Sequence, residues 1–78
     1  MERTVLKSPT LGGRIRELRK LKGLTLDGLT AKCGIAKPNL SRIENGRVYP
    51  VLGTLMRIAE GLGVKPSAFI RIGEVIES

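Results

Sequence analysis

The side chains able to do chemistry in this chain are few, and most of them are cations. Fourteen lysines and arginines stand against seven acids in 78 residues, giving a net charge of +7, with no histidine and one cysteine, Cys33. Without histidine the commonest general base near neutral pH is missing. The acids are scattered along the chain, and the spacing around Cys33 places it on a buried helix face. An enzyme is therefore not expected. A single cysteine excludes an internal disulfide and, with no histidine, leaves no ligand set for structural zinc. No metal, cofactor or small-molecule ligand is expected.

What remains is recognition by charge. Residues 1–22 hold 7 basic and 2 acidic groups, residues 23–50 hold 4 and 2, and residues 51–78 hold 3 and 3. This split suggests one face for a polyanion and another for something else. Charge alone is equally well explained by a solvated basic surface with no such partner. Tyr49 and Phe69 are the only aromatics, which argues against platforms that stack single-stranded bases. Met1 to Thr10 carries no apolar run of the kind a signal peptide needs. No stretch approaches the ~20 apolar residues of a membrane span. A soluble, cytoplasmic protein is expected, and a single thiol suits that reducing compartment.

These side chains need short helices to position them. Residues 1–10 read as a flexible basic arm closed by Ser8-Pro9-Thr10. Leu11, Ile15, Leu18 and then Leu21 fall at helical spacing, opposite Arg14, Arg16, Lys20 and Lys22, and Gly23 ends this helix. Thr25 is a candidate N-cap for a second helix, with Asp27 favourable in its first turn and Leu29 and Cys33 on its buried face. Gly34 provides a left-handed stop. Lys37-Pro38 opens a third helix that buries Leu40 and Ile43 and ends at Asn45-Gly46. Val51 to Leu62 forms a fourth, with Leu52, Leu55, Met56, Ile58, Ala59 and Leu62 as a broad apolar face. Pro66 starts a short fifth helix carrying Phe69 and Ile70.

The informative stretch is Leu26 to Ile43. Two short helices flank a turn at Gly34, and the buried positions are Leu29, Cys33, Ile35, Leu40 and Ile43. Helices that cross steeply share only a small contact, so few positions can be buried. The left-handed turn would cost a side chain about 1–2 kcal/mol, which explains the glycine. Lys37, Pro38, Asn39, Ser41 and Arg42 on the second of these helices are left polar or small, a face that a buried helix would not waste. This is the pattern of a helix-turn-helix.

Here the chain resembles the phage repressor and Cro-like (XRE) helix-turn-helix family. The resemblance is carried by the run Ile15 to Thr25, by Leu40-Ser-Arg-Ile-Glu-Asn-Gly46 and by Leu55 to Val64, and it spans residues 11–70. It implies an all-α, five-helix lambda-repressor-like bundle with helices near 11–22, 26–33, 37–44, 51–62 and 66–71. The domain would cover 11–71, leaving 72–78 as a tail. It also implies that the third helix enters the major groove of double-stranded DNA, where all four base pairs are distinguishable. Lys37, Pro38 and Arg42 match base-facing positions, with Asn39 and Ser41 alongside. Arg42 would pair with guanine, Lys37 would reach guanine acceptors, and the Pro38 ring would pack on a thymine methyl. Arg19 and Glu44 match a structural ion pair. Asn45 and Arg47 are the expected phosphate contacts, followed by Arg14, Lys20, Lys22 and the arm residues Arg3 and Lys7.

Three positions depart from the family pattern. Leu26 stands where a phosphate-gripping glutamine is usual, Thr30 where alanine faces the third helix, and Gly28 where a better helix former is usual. In the neutral rear third, Val64, Phe69, Ile70, Ile72, Val75 and Ile76 are more apolar surface than a small monomer readily buries. They suggest a homodimer interface, as in similar proteins. The alternative is that Phe69 and Ile70 close the monomer's own core. The expected function is a sequence-specific transcriptional regulator, a repressor in preference to an activator, that reads a pseudo-palindrome as a dimer. The competing function is an antitoxin-like protein-interaction module that binds DNA secondarily.

Overall fold

Two threonine hydroxyls start the first two helices. The computed structural model describes Leu6 and residues 8–70. Thr10 accepts the Gly13 amide hydrogen at 3.0 Å and opens α1, Leu11–Leu21. Thr25 accepts that of Gly28 at 3.0 Å and opens α2, Leu26–Cys33. Each satisfies an amide that the first helical turn leaves without an internal partner. The next two helices, α3 (Lys37–Glu44) and α4 (Leu52–Leu62), begin after Ala36 and Val51, which offer no side-chain cap. Pro38 in the first turn of α3 fits because its missing N–H has no acceptor there in any case. One 3-10 turn, Pro66–Ala68, follows α4, and no strand occurs among the described residues.

The helical class is the expected one, and the boundaries differ in physical detail. Lys22 and Val51 are caps, so α1 and α4 are each one residue shorter than their apolar patterns. The fifth helix, expected over 66–71, is a three-residue 3-10 turn. Phe69 leaves the helical conformation at φ −131° and is buried in the core. Residues 8–10 of the expected arm are tied to α1: the Ser8 amide donates to the Glu17 carboxylate. The tail 72–78 lies outside the described residues.

The core is assembled from Ile15 of α1, Leu29 of α2, Leu40 and Ile43 of α3, Leu55 and Ile58 of α4, and Phe69. α2 packs on α3 and α4, while α1 packs on α3. α4 meets chiefly one neighbouring helix, so one face is enough. Leu55, Ile58, Ala59 and Leu62 fill it at i, i+3, i+4 and i+7, and the expected inward residues Leu52 and Met56 are exposed. Leu21, at the last turn of α1, is exposed as well.

Two glycines decide the geometry. Gly34 ends α2 with φ 71°, and its amide returns to the Thr30 carbonyl at 2.9 Å. That left-handed residue sets the turn between α2 and α3. Gly12 is different: it is helical, and a Cβ there would lie 2.0 Å from the Ile43 carbonyl oxygen and 2.8 Å from that of Glu44. The start of α1 therefore lies directly against the backbone at the end of α3.

Gly12→Ala should push α1 off α3 and lower stability by about 1–3 kcal/mol, the usual cost of overpacking. Gly53→Ala, at an open helical position, should raise it by up to about 1 kcal/mol. Urea unfolding of the two variants checks this. Equal midpoints for Gly12→Ala and the parent chain would show that the close approach does not constrain the fold.

Candidate nucleic-acid interface

α3 has two faces. Leu40, Ile43 and Glu44 are buried; Lys37, Pro38 and Arg42 are exposed; Asn39 and Ser41 are half-buried. The exposed side therefore presents an ammonium, a proline ring and a guanidinium along about a turn and a half of helix. Asn45 and Arg47 continue this surface into the loop after α3, and both are exposed. The Asn45 amide reaches the Ser41 hydroxyl at 3.4 Å. The Arg47 backbone amide closes on the Arg42 carbonyl at 2.9 Å. Lys20 and Lys22 are exposed at the end of α1.

The end of α3 is held by a buried ion pair. Arg19 donates from Nε to Oε2 of Glu44 at 2.8 Å and from Nη2 to Oε1 at 3.0 Å. A third bond runs from Arg19 Nη1 to the Leu24 carbonyl at 2.8 Å. The side chains are only 10% and 5% exposed. One guanidinium thus joins α1, the loop before α2 and the last turn of α3. The two-pronged geometry is specific to arginine, since a lysine ammonium offers no planar fork.

Arg14 does not belong with the expected phosphate contacts. It is 2% exposed, and its Nε donates to the Phe69 carbonyl at 2.8 Å. Its Nη1 donates to the carbonyls of Pro9 at 2.9 Å and Ser8 at 3.4 Å. The signal was present in the spacing. Position 14 lies three residues after Leu11 and four before Leu18, on the same arc as the apolar residues. Phe69 is likewise corrected: at 1% exposure it closes the monomer core and is not a free interface residue. Val64 and Ile70 are half-buried beside that core. Ile72, Val75 and Ile76 lie outside the described residues, as do Arg3 and Lys7.

The three departures have local consequences. Leu26 is half-buried against the core and offers no polar group at that position. Thr30 turns its hydroxyl back to the Asp27 carbonyl at 2.8 Å, so the extra polar atom is satisfied within its own helix. Gly28 lends its amide to the Thr25 cap. Asp27 itself has a role that spacing did not reveal. Its Oδ1 lies 3.0 Å from the Lys37 ammonium, across the turn.

A family model described as a helix-turn-helix domain matches residues 10–69. The immunity repressor protein of Bacillus phage phi105 is 38% identical over 61 residues, which are 78% of this chain and 42% of that protein. An uncharacterized HTH-type transcriptional regulator of Sinorhizobium fredii, y4dJ, is 39% identical over 54 residues, 69% of this chain and 70% of the relative. The chain thus spans less than half the length of the phage repressor. Among solved structures, the biofilm master regulator SinR in complex with DNA superimposes with a TM-score of 0.75. It is 33% identical, and the match covers 80% of this chain and all of that one.

Glu44→Ala should leave Arg19 buried without its counter-charge and lower stability by about 3–5 kcal/mol. Glu44→Gln, which keeps an acceptor oxygen, should cost less. Chemical denaturation measures both. A Glu44→Ala variant as stable as the parent would show that the pair does not hold α3 in place.

Proposed function

Since the chain belongs to the helix-turn-helix family, in its phage repressor and Cro-like (XRE) branch, we propose that it is a sequence-specific transcriptional regulator that binds double-stranded DNA and acts as a repressor. One observation carries the reading. α3 is clamped by Leu40, Ile43 and Glu44 on one side and offers Lys37, Pro38 and Arg42 to solvent on the other. In the major groove Arg42 reaches the guanine O6 and N7 acceptors, Lys37 reaches a neighbouring guanine, and the Pro38 ring meets a thymine methyl. Asn39 and Ser41 line the same face. Asn45, Arg47, Lys20 and Lys22 hold the phosphates and set the register. With Leu26 in place of a polar residue, this positioning rests on the loop after α3 and the end of α1. The relatives named as a repressor and a regulator, and the SinR structure with DNA, support this assignment. Among the described residues no helix is long and apolar enough to cross a membrane.

A homodimer completes the reading, because two α3 helices about 34 Å apart would face successive major grooves of a pseudo-palindrome. With Phe69 internal, the surface for this partner is better sought on α4 and the loop before it. Residues 48–56 carry no charge in a chain of net charge +7. They hold five of the six exposed large apolar side chains among the described residues: Val48, Tyr49, Val51, Leu52 and Met56, at 40–72% exposure. Two copies repel each other through their basic front portions, residues 1–50, but they can meet on this neutral strip. Half-buried Val64 and Ile70 pack beside the core and are a lesser contribution.

Selection of bound sites from random duplex DNA tests the function, with a palindromic consensus expected. Arg42→Ala should then relax preference at one position per half-site, at a cost of about 1–3 kcal/mol. Arg47→Ala should weaken all sequences alike and reduce the salt slope by about one. Binding without any sequence preference would refute the regulator and favour a protein-interaction role. For the dimer, sedimentation should find a two-copy species on a duplex with both half-sites, and Leu52→Glu should dissociate it. A parent chain that remains monomeric at high micromolar concentration, free and on that duplex, would overturn the dimer.

A further inference from the structure

α3 begins under electrostatic difficulty. Its cap residue, Ala36, provides no side-chain acceptor, and no acid stands in its first turn. Its first residue is Lys37, a cation at the positive end of a helix dipole. The nearest compensation comes from another helix. Asp27, in the capped first turn of α2, has its carboxylate 3.0 Å from the Lys37 ammonium. Its backbone is fixed as well, because its carbonyl accepts the Thr30 hydroxyl at 2.8 Å.

The two side chains are 54% and 74% exposed. Pairs this open contribute little to stability. The consequence of the contact is therefore positional. A lysine ammonium rides on a flexible four-carbon stem and would otherwise sample a wide arc. Paired with Asp27, it is biased a few-fold toward the part of that arc at the leading edge of α3. The carboxylate also puts a negative charge at the margin of a cationic surface, where any polyanion would meet it.

We propose that Asp27 is a specificity-determining positioning residue: it reads no base itself, but holds Lys37 where that ammonium can discriminate one base pair per half-site. The proposal rests on the base-facing reading of Lys37. Asp27 also repels the phosphates of every sequence alike, so it lowers binding to random DNA while sharpening choice at one position. Replacing the carboxylate therefore has opposite effects on affinity and on selectivity. A purely structural role at the start of α2 would lower thermal stability and weaken all sequences together.

The test uses the full chain with Asp27→Asn, Asp27→Glu, Lys37→Met, Arg42→Ala and the Asp27→Asn/Lys37→Met double variant. Each is titrated against the selected site, its single-base variants and a random-sequence duplex at fixed salt, with melting temperatures in parallel. Lys37→Met should lower preference at one base pair about tenfold. Asp27→Asn should lower it at the same base pair by roughly threefold, leave the Arg42-dependent position intact and raise affinity for random duplex about twofold. Asp27→Glu should restore most of the preference. The double variant should match Lys37→Met in base preference, since for that preference the two residues act through one contact. If Asp27→Asn leaves the preference unchanged, or weakens every position equally, the proposal is overturned. If Lys37→Met has no base-specific effect while Arg42→Ala does, Asp27 has no reader to position, and both the proposal and the Lys37 assignment fall. If neither variant changes any preference, the sequence-specific reading itself fails.

Discussion

The structure depends on one buried ion pair. Arg19 and Glu44 are 25 residues apart in sequence, yet two hydrogen bonds at 2.8 and 3.0 Å join them in the interior. Withdrawing two charges from water offsets most of what their attraction gains, so such a pair is weak evidence for net stability. Its value is directional. A guanidinium fork meets a carboxylate well only in plane, so α3 can end in few orientations relative to α1. The third bond, to the Leu24 carbonyl, fixes the approach to α2 by the same group. The bare backbone of Gly12 against the Ile43 and Glu44 carbonyls lets α1 come near enough for Arg19 to reach.

The remaining elements divide the work around that joint. α4 forms a floor beneath α2 with Leu55, Ile58, Ala59 and Leu62. Close packing leaves no side chain on Gly61, where a Cβ would come within 3.0 Å of Cys33. α2 in turn holds α3 across the Gly34 turn. The result is a short helix, marginal if isolated, whose inner residues are committed to packing and whose outer residues are free to be chosen for contact alone. That separation lets the exposed Lys37, Pro38 and Arg42 be replaced without disturbing Leu40 and Ile43.

Much of this was legible in the sequence because apolar periodicity reports burial directly. Leu29, Cys33, Ile35, Leu40 and Ile43 are all buried, and Thr25 and Gly34 bound α2 as their chemistry suggests. The misses lie in tertiary context, each for its own reason. Arg14 was assigned by charge although its position lay on the apolar arc, and its buried guanidinium is satisfied by backbone carbonyls that no composition reveals. Phe69 counts as surplus apolar surface in composition, but of its two readings the core-closing one holds, because the chain leaves the 3-10 turn with Phe69 turned inward. Leu52 and Met56 continue the apolar pattern of α4, but whether a stripe is covered depends on how many neighbours a helix has. The contact between Asp27 and Lys37 spans a turn between helices, and no single-helix spacing predicts it.

Arg14 has a mechanical consequence. One guanidinium grips the backbone at Ser8 and Pro9, just before α1, and at Phe69, just after the 3-10 turn. The segment before α1 and the segment after the 3-10 turn, 55 residues on from Arg14, are thus gathered on one buried side chain. Gly12, two residues before Arg14, lies against the Ile43 and Glu44 carbonyls, so the side chain that staples these two segments also stiffens the seat on which the end of α3 rests.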